Sequence, residues 1–176
     1  MDAECLTLTR TVRRRGGIVL TVFALVWAVA GGAGFVAVAV VACAVSAGAV
    51  VSAYRDAAGP VTRLVRLPER RNRGGGLVNA VEVAGIVAVI AAANAMGRPE
   101  FIPVGICLVV GLHFFPLARL YDQWQYRWTG ILLTAVALVG LAVLVAGGTA
   151  ETTRAVVGFG SALVLWGSAF HVALRG

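Results

Sequence analysis

Glu82 and His113 are the residues on which any chemistry inside this chain would turn. Each interrupts a long run of Ala, Val, Leu, Ile and Gly, and Glu82 is the only carboxylate well inside such a run. Ionisable side chains are costly to place in apolar segments, which makes them default functional candidates. Between the two runs lies Gly97-Arg98-Pro99-Glu100, a turn sequence. In a hairpin about that turn, residues equidistant from it share a depth. Glu82 precedes Gly97 by fifteen residues and His113 follows Arg98 by fifteen. Both then lie roughly 9 Å in from the other end of the hairpin at the rise of an α-helix. Asn79, one turn before Glu82, and Pro116, three residues after His113, complete the candidate set. Pro116 gives no N–H to the Leu112 carbonyl and is expected to bend its helix. The sharper reading is a protonatable Glu82–His113 pair lining a small polar cavity, there to bind a cation or relay a proton during transport. The plainer reading, which we prefer, is an interhelical hydrogen bond, helped by Asn79, that fixes packing. Whether the two side chains face each other depends on helix rotation, which spacing does not give.

Other chemistry is poorly represented. There is no Walker loop, no H-E-x-x-H, no G-x-S-x-G and no G-x-G-x-x-G after a strand, so no catalytic residue is assigned and an enzyme is not expected. Cys5, Cys43 and Cys107 are scattered without ligand spacing, so neither a metal site nor a disulfide framework is indicated. His171 lies one turn from Arg175 and reads as an interfacial side chain. A haem held by His113 and His171 would need the two facing at matched depth, and they come out a few Å apart; no cofactor is expected. The small residues Gly158 and Gly160, and Ala44, Gly48 and Ser52 at four-residue spacing, read as helix contact surfaces.

The elements that must position these residues follow from composition. Hydrophobic residues make up 60% and charged residues 13% of 176, against about 25% charged in soluble domains. Apolar runs of about 20 residues recur, each long enough as a helix to cross roughly 30 Å of hydrocarbon. Backbone in lipid must satisfy its own hydrogen bonds, and the apolar residues are contiguous rather than alternating, so helices are expected and strands are not. The reading is an all-α polytopic transmembrane helix bundle of six spans in three hairpins. The spans are placed at about 14–31, 34–55, 77–96, 101–121, 128–147 and 155–174. A basic tail occupies 1–15, and 16–176 form one transmembrane domain. The one long polar loop is 56–76, with Gly74-Gly75-Gly76 as a flexible exit; 122–127 is a shorter loop.

Charge then orients the bundle. All fifteen cationic side chains are arginine, and six spans put thirteen at one side, leaving Arg98 and Arg154 at the other. Arginine-rich short loops mark the cytoplasmic face, so both termini are expected inside, with Tyr121, Trp124, Tyr126 and Trp128 at that interface. The net charge of +7 is better explained by this topology than by nucleic-acid binding. A competing reading makes Arg13-Arg14-Arg15, the apolar stretch and Ala28-Val29-Ala30 a cleaved secretory signal, leaving five spans; it is not preferred, because a second apolar run follows at once. In the 56–76 loop, Arg63, Arg66, Arg70, Arg71 and Arg73 are candidate contacts for anionic lipid at the cytoplasmic face.

The stretch Gly111-Leu112-His113-Phe114-Phe115-Pro116-Leu117-Ala118-Arg119 resembles one in small uncharacterised multi-pass bacterial membrane proteins. The absence of lysine beside abundant Ala, Val, Gly and Arg fits a bacterial source. With the helical spans, that source makes a bacterial inner membrane the expected location; the resemblance draws interest to His113 and Pro116 but carries no activity. The expectation is a structural or interaction protein of the membrane, open to homo-oligomerisation, with a small transporter or channel component as the alternative.

Overall fold

Capping sets where this chain turns. In the computed structural model, which describes residues 3–32, 41–42, 44–48, 51 and 70–175 (the backbone alone for 3–15, 70–73 and 172–175), the described elements are helical and include no strand. They are α1 (Ala3–Gly31), α2 (Arg70–Ala95), a 3₁₀ turn (Pro99–Phe101), α3 (Ile102–Tyr121), α4 (Trp124–Val145) and α5 (Ala150–Arg175). Short helical pieces lie at 41–42 and 44–48. Helix α2 ends with Gly97 at φ +66°, where the Arg98 N–H reaches back to the Ala93 carbonyl at 2.8 Å and Gly97 N–H to Asn94 at 3.0 Å. This pair of bonds closes the carbonyls a helix end leaves open and needs a left-handed residue, which glycine supplies without strain. Gly147, at φ +85°, ends α4 the same way, with Gly148 N–H on Val143 at 2.8 Å. Between α3 and α4 the left-handed residue is Asp122, and Gln123 N–H bonds the Ala118 carbonyl at 3.1 Å.

Four of these helices are long and apolar enough to cross a membrane: Gly74–Ala95, Pro99–Tyr121, Trp124–Val145 and Ala150–His171. The six expected spans are therefore not all found. The first, Gly16–Gly31, is apolar but shorter than the other four, and most of 34–55 lies outside the described residues. Several boundaries also differ from expectation. Helix α1 is already helical from Ala3, inside the expected basic tail. The expected loop 122–127 shrinks to Asp122 and Gln123, because a one-residue left-handed cap suffices to reverse the chain. Helix α5 begins at Ala150, five residues early, with the Thr149 hydroxyl accepting the Thr152 N–H at 3.1 Å. The expected flexible exit Gly74-Gly75-Gly76 is inside α2. There a Cβ on Gly74 would lie 3.1 Å from Leu120 and one on Gly75 3.2 Å from the Tyr121 hydroxyl, so the first two glycines serve close approach rather than flexibility.

The helices pack in an open series, with α2 and α1 at its two ends. Helix α2 lies along α3, α3 on α4, α4 on α5, and α5 on α1. Two crossings bring backbones together. Gly111 of α3 meets Gly130 and Thr134 of α4, and Gly31 of α1 meets Gly158 of α5, where a Cβ on Gly31 would stand 3.0 Å from the Gly158 Cα. Small residues allow such approach, and in lipid the resulting van der Waals contact drives association. Gly158 thus takes the packing role expected of it. The expected contact face of Ala44 and Gly48 is instead exposed, while Ser46, and Ala42 of the preceding piece, are buried; Ser52 lies outside the described residues. The core runs through Leu20, Ala24, Ala28, Val104, Cys107, Leu133, Val157 and Leu165. Hydroxyl and thiol groups stitch it: Thr129 to Ser168 at 2.7 Å, Cys107 to Ser161 at 3.2 Å and to the Leu133 carbonyl at 3.3 Å, and Trp166 to Ser46 at 3.2 Å.

Candidate functional site

The hairpin of α2 and α3 holds its register along its length. Gly74 lies against Leu120, Gly75 against Tyr121, Gly85 against Val109 and Gly105 against Val89. Between the outer and inner of these steps, Glu82 and His113 come together, with His113 Nε2 3.5 Å from Glu82 Oε2. Both side chains are sheltered, at 14% and 8% exposure. The rotation that spacing left open is therefore supplied by the glycine contacts on either side of the pair. The other ring nitrogen of His113, Nδ1, is buried without a hydrogen-bond partner, and the ring stands edge-on to Phe114 at 6.0 Å. Phe114 in turn meets Tyr126 at 5.8 Å, and Tyr126 meets Tyr121 at 6.3 Å. A line of rings thus leads from the pair to the α3–α4 turn.

The remaining sequence candidates are not drawn into this pair. Asn79 is exposed; Asn94, another amide of the same helix, spends its side chain on the Ile90 carbonyl at 2.7 Å. Pro116 lies inside α3 and is exposed, so it faces away from the bundle while α3 continues through it to Tyr121. His171 does not face His113; its ring stands against Trp124 at 6.1 Å. Arg63 and Arg66 lie outside the described residues, and Arg70, Arg71 and Arg73 fall in the first turn of α2 rather than in a loop. Among the described residues no group of three or more metal-ligating side chains gathers.

One site escaped the sequence reading. A pocket of about 310 Å³ opens at the α3–α4 turn, lined by Phe115, Ala118, Arg119, Asp122, Gln123, Trp124 and Arg127. The signal was present, since Arg119 and Arg127 flank the turn, but a six-residue loop between them would have separated the two. With the turn cut to Asp122 and Gln123, they line one cavity.

An all-helical chain with four helices able to span a bilayer, and a sheltered acid–imidazole contact between two of them, has the character of an integral membrane protein. Residues 72–170 match a family of unknown function (DUF7010); the match covers more than half of the chain, which belongs to that family. A family of unknown function is consistent with the uncharacterised kind of protein that the sequence resembled. No curated protein and no solved structure matches the chain.

Proposed function

We propose that this protein is a structural or interaction component of a bacterial inner membrane, with both termini cytoplasmic, α1 retained, and the Glu82–His113 pair acting as a polar tether. The observation that carries this reading is the isolation of α2. Ala93 is the one fully buried side chain among its described residues, and its described contacts are with α3 and the turn that joins them. A helix so lightly packed gains rotational definition from a polar contact that only one rotation can make. In bilayers such interhelical contacts contribute about 0.6 to 2 kcal/mol each, enough to choose among rotations of similar packing energy.

The alternative, a small transporter or channel component, draws its support from the unpartnered, buried Nδ1 of His113 on a ring that also contacts a carboxylate. Glu82→Gln and His113→Ala separate the two readings in reconstituted vesicles. The tether reading expects no pH-driven flux from the unaltered protein and reduced stability in His113→Ala. A pH-dependent flux that both substitutions abolish without unfolding would replace the tether by transport.

A further inference from the structure

We infer that the pocket at the α3–α4 turn binds the phosphate of an anionic phospholipid headgroup between Arg119 and Arg127. The site is built at the end of the bundle where Gly16 of α1 approaches Tyr126, Gly75 of α2 approaches Tyr121 and His171 of α5 meets Trp124. That end is also rich in rings. Trp124 stands edge-on to Trp128 at 6.4 Å, both are exposed, and amphipathic rings of this kind settle at headgroup level. The pocket therefore opens at the depth of lipid phosphates.

Its lining grades from charge to hydrocarbon. Arg119 and Arg127, both exposed, supply two guanidinium groups, and Asp122 offsets one of the positive charges. Guanidinium groups match phosphate oxygens with paired donors. Arg127 sits in the first turn of α4, a turn with no acidic side chain and no side-chain cap from Gln123, whose amide oxygen instead accepts from Gln125 at 2.8 Å. An anion there also meets the positive end of α4. On the other wall Phe115 lies seven residues before Asp122, roughly 10 Å deeper along α3. A free phosphate has no use for that wall, whereas the first methylenes of an acyl chain would cover it. The volume is at the lower end of the roughly 300–1,000 Å³ found for ligand sites, sized for a headgroup rather than a whole lipid. The inference rests on the membrane reading of the fold and is independent of what Glu82 and His113 do.

The test uses the full chain in a neutral detergent, titrated separately with dioctanoyl phosphatidylglycerol, dioctanoyl phosphatidylcholine and inorganic phosphate, with bound adducts counted by native mass spectrometry. Phosphatidylglycerol is expected to bind, and Arg119→Gln with Arg127→Gln to weaken it at least tenfold, whereas Arg98→Gln at the opposite end leaves it unchanged. Equal binding of phosphatidylcholine, or undiminished binding by the double variant, overturns the site. Inorganic phosphate competing as well as the lipid overturns the lipid assignment in favour of a soluble anion. Should the double variant not fold, brominated phosphatidylglycerol is expected to quench the indole fluorescence of the unaltered protein more than brominated phosphatidylcholine does, and equal quenching overturns the site. Loss of the chain from membranes on alkaline washing would instead strike the membrane reading itself.

Discussion

At the scale of single residues, the Glu82–His113 contact joins two helices that also meet where glycines of one lie against valine, Leu120 and Tyr121 of the other. Its worth depends on what each partner leaves behind. Gln at 82 keeps an acceptor near the imidazole, so Glu82→Gln is expected to cost less stability than His113→Ala. The latter leaves a sheltered carboxylate without its partner and opens a void. We expect about 1–2 kcal/mol for His113→Ala, the upper part of the range for polar contacts between membrane helices. Reversible unfolding in mixed micelles measures both, and a His113→Ala chain as stable as the unaltered one would remove the tether. Gly111 offers a steric counterpart. A Cβ there would sit 2.8 Å from the Thr134 hydroxyl and 2.9 Å from the Thr134 backbone nitrogen. Backbone cannot move aside as a flexible side chain can, so Gly111→Val is expected to destabilise by about 1–3 kcal/mol, read in the same unfolding assay. Gly48→Val, with nothing within 4 Å of its Cβ, is the matched control and is expected to change little.

At the scale of elements, helix ends are decided by a few hydrogen bonds. Gly97 bears the clearest case. An alanine there would hold its Cβ in the left-handed region at a cost of roughly 1–2 kcal/mol, so Gly97→Ala is expected to lower the melting temperature while Gly76→Ala, where a Cβ meets nothing, is not. The turn was legible in the sequence because Gly-Arg-Pro is a turn signal that hydropathy on both sides isolates. The shared depth of Glu82 and His113 was legible too, since depth in a symmetric hairpin is only counting. Rotation was not, because it depends also on which small residues α2 and α3 offer each other, and glycines such as Gly85 and Gly105 look alike in a hydropathy pattern wherever they point. The starts of α4 and α5 were misplaced for a different reason. Trp124 to Arg127 and Ala150 to Arg154 are polar enough to average as loops, yet nothing in them opposes helix. The left-handed Asp122 ends α3 within one residue, and the Thr149 hydroxyl caps α5, so both following helices begin earlier. The pocket between Arg119 and Arg127 followed from that shortened turn and was lost with it.

At the scale of the whole molecule, the packing order and the charge pattern bear on the same question. The start of α2, the α3–α4 turn and the end of α5 lie together, as does Gly16 of α1, while Arg98 and the Gly147 turn lie at the other end. Arg119 and Arg127 therefore sit at the first end, and Arg98 and Arg154 at the second. A bilayer with anionic lipid and an inward-negative potential favours the richer arginine end on the inside. Single cysteines placed at Gln123 and at the exposed Ala150, in a chain with Cys5, Cys43 and Cys107 changed to serine or alanine, test this in intact cells with a membrane-impermeant maleimide. Cys107 should be changed to alanine and serine in parallel, because its thiol contacts Ser161 and the Leu133 carbonyl in the core. The Ala150 site is expected to react from outside, and the Gln123 site only after the membrane is opened. The reverse pattern would turn the bundle over and place the proposed headgroup pocket in the outer leaflet. Reaction at both sites in intact cells would break the link between the arginine partition and a single orientation.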